Sequence, residues 1–342
     1  MTQHIETNVA LRGIIMDKMT VKWFYVLGTT ISIAAAGENA HESIYEAAAK
    51  LMDIDNKMSV FKNYSEVFLI NENSGMDFQR VSDETFYVIK KALDFSKLSQ
   101  GSFDPTIRPV TGLWKIGTKD AVVPKGIDIK SMMELVNYKD IEICDSSKSI
   151  RLKRKNQKID LGGIAKGFAA DQVRKILLKN GISSAIIDLG GNINALGKKD
   201  NKDLWSVGIQ NPLKPTGEFV GILSVSDKSV VTSGGYERFF IRNGKRYHHI
   251  IDPQTGYPCN SDLISVTVVS DNSIDGDALS TCIFVKGLEE GLKFIKNIEG
   301  TEAIFITRDR KIYATKGLNN QFKVTNSEFC IEDNVTEMEG AR

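Results

Sequence analysis

Apolar residues along this chain follow two spacings, and the switches between them mark most of its elements. Residues 21–35 (VKWFYVLGTTISIAA) read as a strand, a glycine break and a second strand. Helical spacing follows through Ile44, Ala48, Leu51 and Met52, with Asn39 and Glu42 as a capping box. Residues 58–75 (MSVFKNYSEVFLINENSG) predict loop and short strand. Ser82 predicts the cap of a helix through Phe86, Ile89, Leu93 and Phe95 that closes at Gly101. Residues 101–114 (GSFDPTIRPVTGLW) hold too much glycine and proline for regular structure and read as a functional loop. A helix over 131–136 and a hairpin near 141–152 come next.

The second half opens on Ile159 and Leu161, then Gly162-Gly163, then a helix through Ile164, Phe168, Val173, Ile176 and Leu177 that stops at Gly181. Strands are predicted at 184–188 and 192–196. Short strands follow in WSVGIQNP, GILSVSD, SVVTSG, RFFIRNG and RYHHIID, with Asn243-Gly244 as a hairpin turn. ISVTVVS is another strand, 274–285 and 288–298 are helices, and AIFITRD–KIYAT is a last hairpin. Antiparallel strands mixed with helices give an α+β fold class. Residues 1–20 read as a loose arm and 326–342 as a frayed acidic tail around one domain over 21–325.

Composition narrows the function. The 342 residues are 42% apolar and 25% charged with a net charge of +1, so no global field draws nucleic acid or a membrane surface. The four cysteines form neither a zinc spacing nor a disulfide framework and fit a reducing compartment. The first twenty residues contain Glu6 and Asp17 and lack the apolar core of a signal peptide. No apolar stretch approaches membrane-spanning length. The expected location is the cytoplasm, with no membrane anchor.

Several positions carry candidate chemistry. Gly162-Gly163 at a helix start exposes backbone N–H groups, and Lys166 in the first turn opposes the helix dipole unless an anion such as phosphate is present. A plain strand-to-helix turn with a solvated lysine reads equally well. Asp277 and Thr281, one helical turn apart, suit Mg²⁺. They equally suit a dipole-favoured aspartate and a threonine bonded back to the chain. His249, on the opposite strand face from His248, reads as a general base or as a packed histidine, and His248 as exposed. Asp104 and Asp160 suit either a purine or ribose contact or an Asx turn. Phe61 suits stacking on an aromatic ring or a place in the core. The dinucleotide fingerprint and the P-loop are both missing from the sequence.

Eight segments occur in order: LGTTISI, MSVFKNYSEVFLIN, GSFDPTIRPVTGLW, IDLGGIAKGFAADQV, AIIDLGGNINALG, VTSGGYERFF, HHIIDPQTGYP and DGDALSTCIFVKG. Together they resemble the ApbE family, the FAD:protein FMN transferases, over roughly residues 22–318. The resemblance implies a single α+β unit related to the T-fold, with FAD in a cleft. It implies Mg²⁺-dependent transfer of FMN from FAD to a Thr or Ser hydroxyl of an acceptor flavoprotein, with release of AMP. FAD contacts are implied at Leu27, Phe61, Ser102, Phe103, Asp104, Asp160, Lys166 and the backbone of Ile251. Metal ligands are implied at the Gly163 carbonyl, Asp277 and Thr281, and Ser280 stands where some members add a carboxylate. His249 matches the histidine assigned to catalysis. FAD pyrophosphatase activity and non-catalytic flavin binding are the alternatives, and the metal pair with His249 favours catalysis over simple binding.

Overall fold

The computed structural model describes residues 19–199 and 202–332. The first hairpin is β1 (Met19–Val26) and β2 (Thr29–Ala36), joined through Leu27 and Gly28, both at positive φ. Helices α1 (Ala40–Met58) and α2 (Glu66–Glu72) follow, then the short β3 (Gln79–Arg80) and α3 (Asp83–Leu98). Next come α4 (Arg108–Trp114), α5 (Gly126–Met133) and the hairpin β4 (Ile141–Cys144) and β5 (Ser149–Leu152). Helix α6 (Ala165–Lys179) leads to β6 (Ser184–Asp188), β7 (Asn192–Leu196), β8 (Trp205–Gln210), β9 (Phe219–Val225) and β10 (Lys228–Gly234). The hairpin β11 (Phe239–Arg242) and β12 (Lys245–His248) precedes β13 (Leu263–Ser270) and α7 (Ser273–Ile295). Strands β14 (Glu302–Thr307), β15 (Lys311–Ala314), β16 (Phe322–Val324) and β17 (Cys330–Ile331) end the described chain.

Nine strands form the central sheet in the order β1-β2-β6-β7-β10-β13-β14-β15-β17, antiparallel throughout except for the β15–β17 pair. The fold class is therefore α+β, as expected. The inner strands of this sheet pack on both faces, whereas the edge strand β1 leaves Trp23 and Tyr25 exposed. In β14, Ala303 and Phe305 join the helical core of α1, α3, α6 and α7, whereas Ile304 and Ile306 face the small sheet β16-β9-β8. Trp205, Val207 and Leu223 fill that second core. No helix among the described residues is long and apolar enough to cross a membrane.

Several local readings change. Residues 66–72 are helical: Ser65 caps them by accepting from the Phe68 N–H at 2.9 Å, and Val67 and Ile70 are buried. The Gly/Pro-rich stretch contains α4, with Val110 and Trp114 fully buried on one side and Pro109 in the first turn, where it is tolerated. The helix expected over 131–136 starts earlier, at Gly126, because Ile129 packs with Val110 and Trp114. Asn39 precedes α1 but makes no side-chain cap bond, and Met52 is exposed. The helices expected over 274–285 and 288–298 form α7, broken where Gly287 leaves helical geometry. Of the expected tail, Phe329 is buried and Cys330–Ile331 pairs with β15; residues 333–342 lie outside the described residues, as do 1–18 of the expected arm.

Candidate active site

The Gly162-Gly163 turn is anchored by the buried side chains of Ile159, Leu161 and Ile164. Asp160 holds the turn with an Asx bond, its Oδ1 accepting from the Gly162 N–H at 2.8 Å. Gly163 then faces the Phe103 ring and the Thr281 hydroxyl: a Cβ placed on it would lie 3.1 Å from Phe103 Cε2 and 3.7 Å from Thr281 Oγ1. Three residues far apart in sequence thus meet. One turn into α6, a Cβ on Gly167 would sit 2.3 Å from the Ser273 carbonyl oxygen and 2.6 Å from Ile274 Cα. Only glycine permits this crossing of α6 and α7. Gly167→Ala is expected to destabilise the fold by roughly 1–3 kcal/mol, the range for overpacking, since backbone has to move. Urea unfolding checks this, and an unchanged midpoint would show that the crossing yields freely.

The crossing brings the metal candidates to the Gly-Gly turn. Asp277 Oδ2 accepts from the Gly167 N–H at 2.9 Å, and its side chain also meets that of Asn192. Both oxygens of Asp171 accept from the first N–H groups of α7, at Ser273 and Ile274, so that helix is capped from α6. Burial pushes the Asp277 carboxyl above the usual range, while the Lys166 charge and the Gly167 N–H pull the other way. Thr281 Oγ1 lies 3.5 Å from Ser233 Oγ, which shares a 2.9 Å hydrogen bond with Ser280 Oγ. Ser280 and Thr281 both donate to the Asp277 carbonyl. Among the described residues no cluster of three or more His, Cys, Asp or Glu side chains could hold a metal. The local donors are the Asp277 carboxylate and the hydroxyls of Ser233, Ser280 and Thr281. An all-oxygen set with one carboxylate fits a hard cation that keeps waters and adds ligand oxygens.

His249 lies beside this group. Its N–H donates to the Arg238 carbonyl at 3.0 Å, and its Nδ1 lies 3.3 Å from the same oxygen. A protonated Nδ1 donating there leaves Nε2 as the acceptor atom. Desolvation, helped by the charges of Arg238 and Lys166, lowers the imidazole pKa to about 4 against the Arg238 carbonyl bond. Lys166 also faces Asp188 and Glu237. Asp188 Oδ1 accepts from the Gly191 N–H at 3.0 Å, and burial raises its pKa. The Arg238 guanidinium donates to the Gly28 carbonyl at 3.3 Å, tying the Leu27-Gly28 turn to His249. Leu27 at φ +55 is an unfavourable conformation for a bulky side chain, held by this turn and by core contact. Ser233, Asp188, Glu237, Arg238 and Asn192 were not singled out in the sequence. Their signal was the polar residues flanking Gly190-Gly191 and Gly234-Gly235.

The other candidates divide. Phe61 is not in the core: it is 78% exposed, with the Arg108 guanidinium 4.9 Å from its ring centroid. Arg108 also reaches Asp160, at 3.6 Å, and so joins the aromatic ring to the Gly-Gly turn. Asp104 is buried and its carboxylate is engaged internally, accepting from the Thr106 N–H and hydroxyl and from the Tyr138 N–H. Its side chain shapes the turn that presents Ser102 and Phe103, both buried. Ile251 is buried in a small cluster with Val110, Trp114 and Ile129, and bridges to Pro258. His248 is buried rather than exposed, with Nε2 2.9 Å from the Cys259 carbonyl and its ring edge-on to Phe284. A cavity of about 650 Å³ between Asp252–Asp262 and Val285–Glu290 contains none of the gathered residues.

Known proteins resemble this chain over most of its length. The ApbE family profile matches residues 27–305. An FAD:protein FMN transferase of Klebsiella pneumoniae is 35% identical over 276 residues, covering 81% of this chain and 85% of its own. One from Treponema pallidum is 34% identical over 305 residues, covering 85% and 84%. The crystal structure of the ApbE protein of Thermotoga maritima superposes with a TM-score of 0.82 at 30% identity, over 88% of this chain and 98% of that one. With the gathered residues drawn from within the matched span, the chain belongs to the ApbE family.

Proposed function

We propose that this enzyme, a flavin transferase by family, moves FMN from FAD to a Thr or Ser hydroxyl of an acceptor protein and releases AMP. The observation that carries the proposal is the junction of α6 and α7. There the buried Asp277 carboxylate, the Thr281 hydroxyl and the Gly-Gly turn meet beside Lys166 and His249. Splitting a diphosphate demands that negative charge be offset where it develops. Asp277, Thr281 and the Gly163 carbonyl would hold Mg²⁺, which when bound neutralises phosphoryl oxygens. Lys166 adds a fixed positive charge at the helix start. His249 presents a neutral nitrogen to take the proton of the incoming hydroxyl, with Arg238 holding the ring. Phe61, backed by Arg108, offers an exposed ring face for a flavin or adenine. The proposed location is the cytoplasm.

The test is incubation with FAD and Mg²⁺, with and without an acceptor flavoprotein, reading AMP release and acceptor mass. AMP and FMN without a mass gain on the acceptor would make the enzyme an FAD pyrophosphatase. The Phe61 platform yields a separate prediction. Arg108→Ala should weaken FAD binding about 2- to 5-fold, the scale of an exposed cation–π contact. Adding Arg108→Ala to Phe61→Ala should then cost little more. Fluorescence titration of FAD measures both, and full additivity would show that Arg108 does not act through Phe61.

A further inference from the structure

The hairpin β11–β12 stands apart from the central sheet as a two-stranded ribbon, so among the described residues the outer edge of each strand has no strand partner. Its two ends are site residues. Arg238 precedes β11, His249 follows β12, and the His249 N–H to Arg238 carbonyl bond continues the ladder between them. One face of the ribbon is anchored: Phe240 and Tyr247 stack at 5.2 Å, and Tyr247 lies against Trp114 at 5.5 Å. The opposite face is closed at its base by the buried His248, which pairs with Phe239, and is open toward the tip. Ile241 is 62% and Phe239 38% exposed, with the Arg246 guanidinium 4.3 Å from the Phe239 ring centroid. The tip adds Arg242 and Lys245, opposite each other across Asn243-Gly244 on the Phe240–Tyr247 side, with Lys245 Nζ 5.4 Å from the Tyr247 ring centroid. Arg242, Lys245 and Arg246 make no ion pair among the described residues. A ribbon whose outer edges lack a strand partner among the described residues, with an exposed Ile241 and cations outside any ion pair there, and laddered to His249 at its base, is suited to receive an extended chain.

We infer that β11–β12 is the docking arm for the acceptor protein, and that the acceptor presents an extended segment with acidic residues flanking its target hydroxyl. The inference rests on the transferase reading. Free edges supply sequence-independent backbone bonding, and the cations select the acidic partner. The ladder then sets the distance from the docked segment to His249.

The probes are two fluorescein-labelled peptides, each with one threonine, one with acidic flanks and one with glutamine flanks. Anisotropy on the FAD-loaded enzyme reads binding, and mass spectrometry reads FMN attachment. Wild type should bind the acidic peptide roughly tenfold more tightly than the glutamine peptide, and the preference should shrink as salt rises. Arg242→Glu/Lys245→Glu should abolish the preference without changing FAD affinity. Arg242→Glu alone, on an exposed tip, should do so in part if the double variant misfolds. Equal binding of both peptides by wild type, or an acidic preference that survives charge reversal, overturns the docking arm. Acidic binding that depends on the arm, with no FMN attached to any hydroxyl, keeps the arm and removes the transferase reading.

Discussion

Asp277→Asn is expected to cut FMN transfer by about 10²–10³-fold or more while the protein stays folded, because it removes the carboxylate charge that would hold Mg²⁺ where phosphoryl charge must be offset. Asparagine keeps an acceptor for the Gly167 N–H, which sits 2.9 Å from the carboxylate. Asp277→Ala would orphan that buried donor and add about 1–3 kcal/mol of destabilisation, which confuses the two effects. A readout other than activity separates binding from catalysis. Mg²⁺ added with FAD should raise the melting temperature of the wild type, since a ligand of the native state stabilises it by mass action. The rise attributable to Mg²⁺ should vanish in Asp277→Asn. A normal transfer rate, or an unchanged Mg²⁺-dependent rise, would take Asp277 out of the metal site.

His249→Ala is expected to slow transfer by about 10²–10⁴-fold, the range for loss of a general base, with FAD affinity little changed. The Gly-Gly turn, Phe61 and Arg108 remain in place to bind FAD. Its pKa of about 4 means that the imidazole is already neutral at physiological pH. The sign follows: a depressed pKa keeps the base competent as pH falls through 6.5, and activity is lost only when protonation sets in below. The acid limb of kcat/KM should therefore lie well under the ordinary histidine value. The FAD diphosphate favours the imidazolium, so the acid limb of kcat should lie higher than that of kcat/KM. An acid limb of kcat/KM at 6.5, or FAD affinity lost in step with rate, would remove the assignment. His248 is not a neutral control. Its ring is buried against Phe284 and bonded to the Cys259 carbonyl, so His248→Ala should lower stability rather than report on chemistry.

Much of this protein is legible along the chain, where local energetics decide. Ser82 caps α3 as read, with its hydroxyl accepting from the Thr85 N–H. Gly181 closes α6 at φ +80, and Asn243-Gly244, both at positive φ, turn the docking ribbon. The ordered glycine, aspartate and histidine motifs disclosed the family, because each keeps its chemistry next to its own turn. Helix α2 was not legible: seven residues cannot sustain a helix alone, and burial of Val67 and Ile70 supplies what propensity lacks. The fates of the two adjacent histidines were half legible. Strand alternation separates them, but only the packing of Phe284 and Cys259 decides that His248 is held in the core. Arg108 over Phe61, Ser233 beside Thr281, and Gly167 beneath Asp277 join residues distant in sequence, and no local spacing encodes such pairs. What places Gly167 beneath Asp277 is the tight crossing of α6 over α7. That crossing depends on a missing Cβ at Gly167 and on caps exchanged between helices, and it exists only when both helices are packed on the sheet.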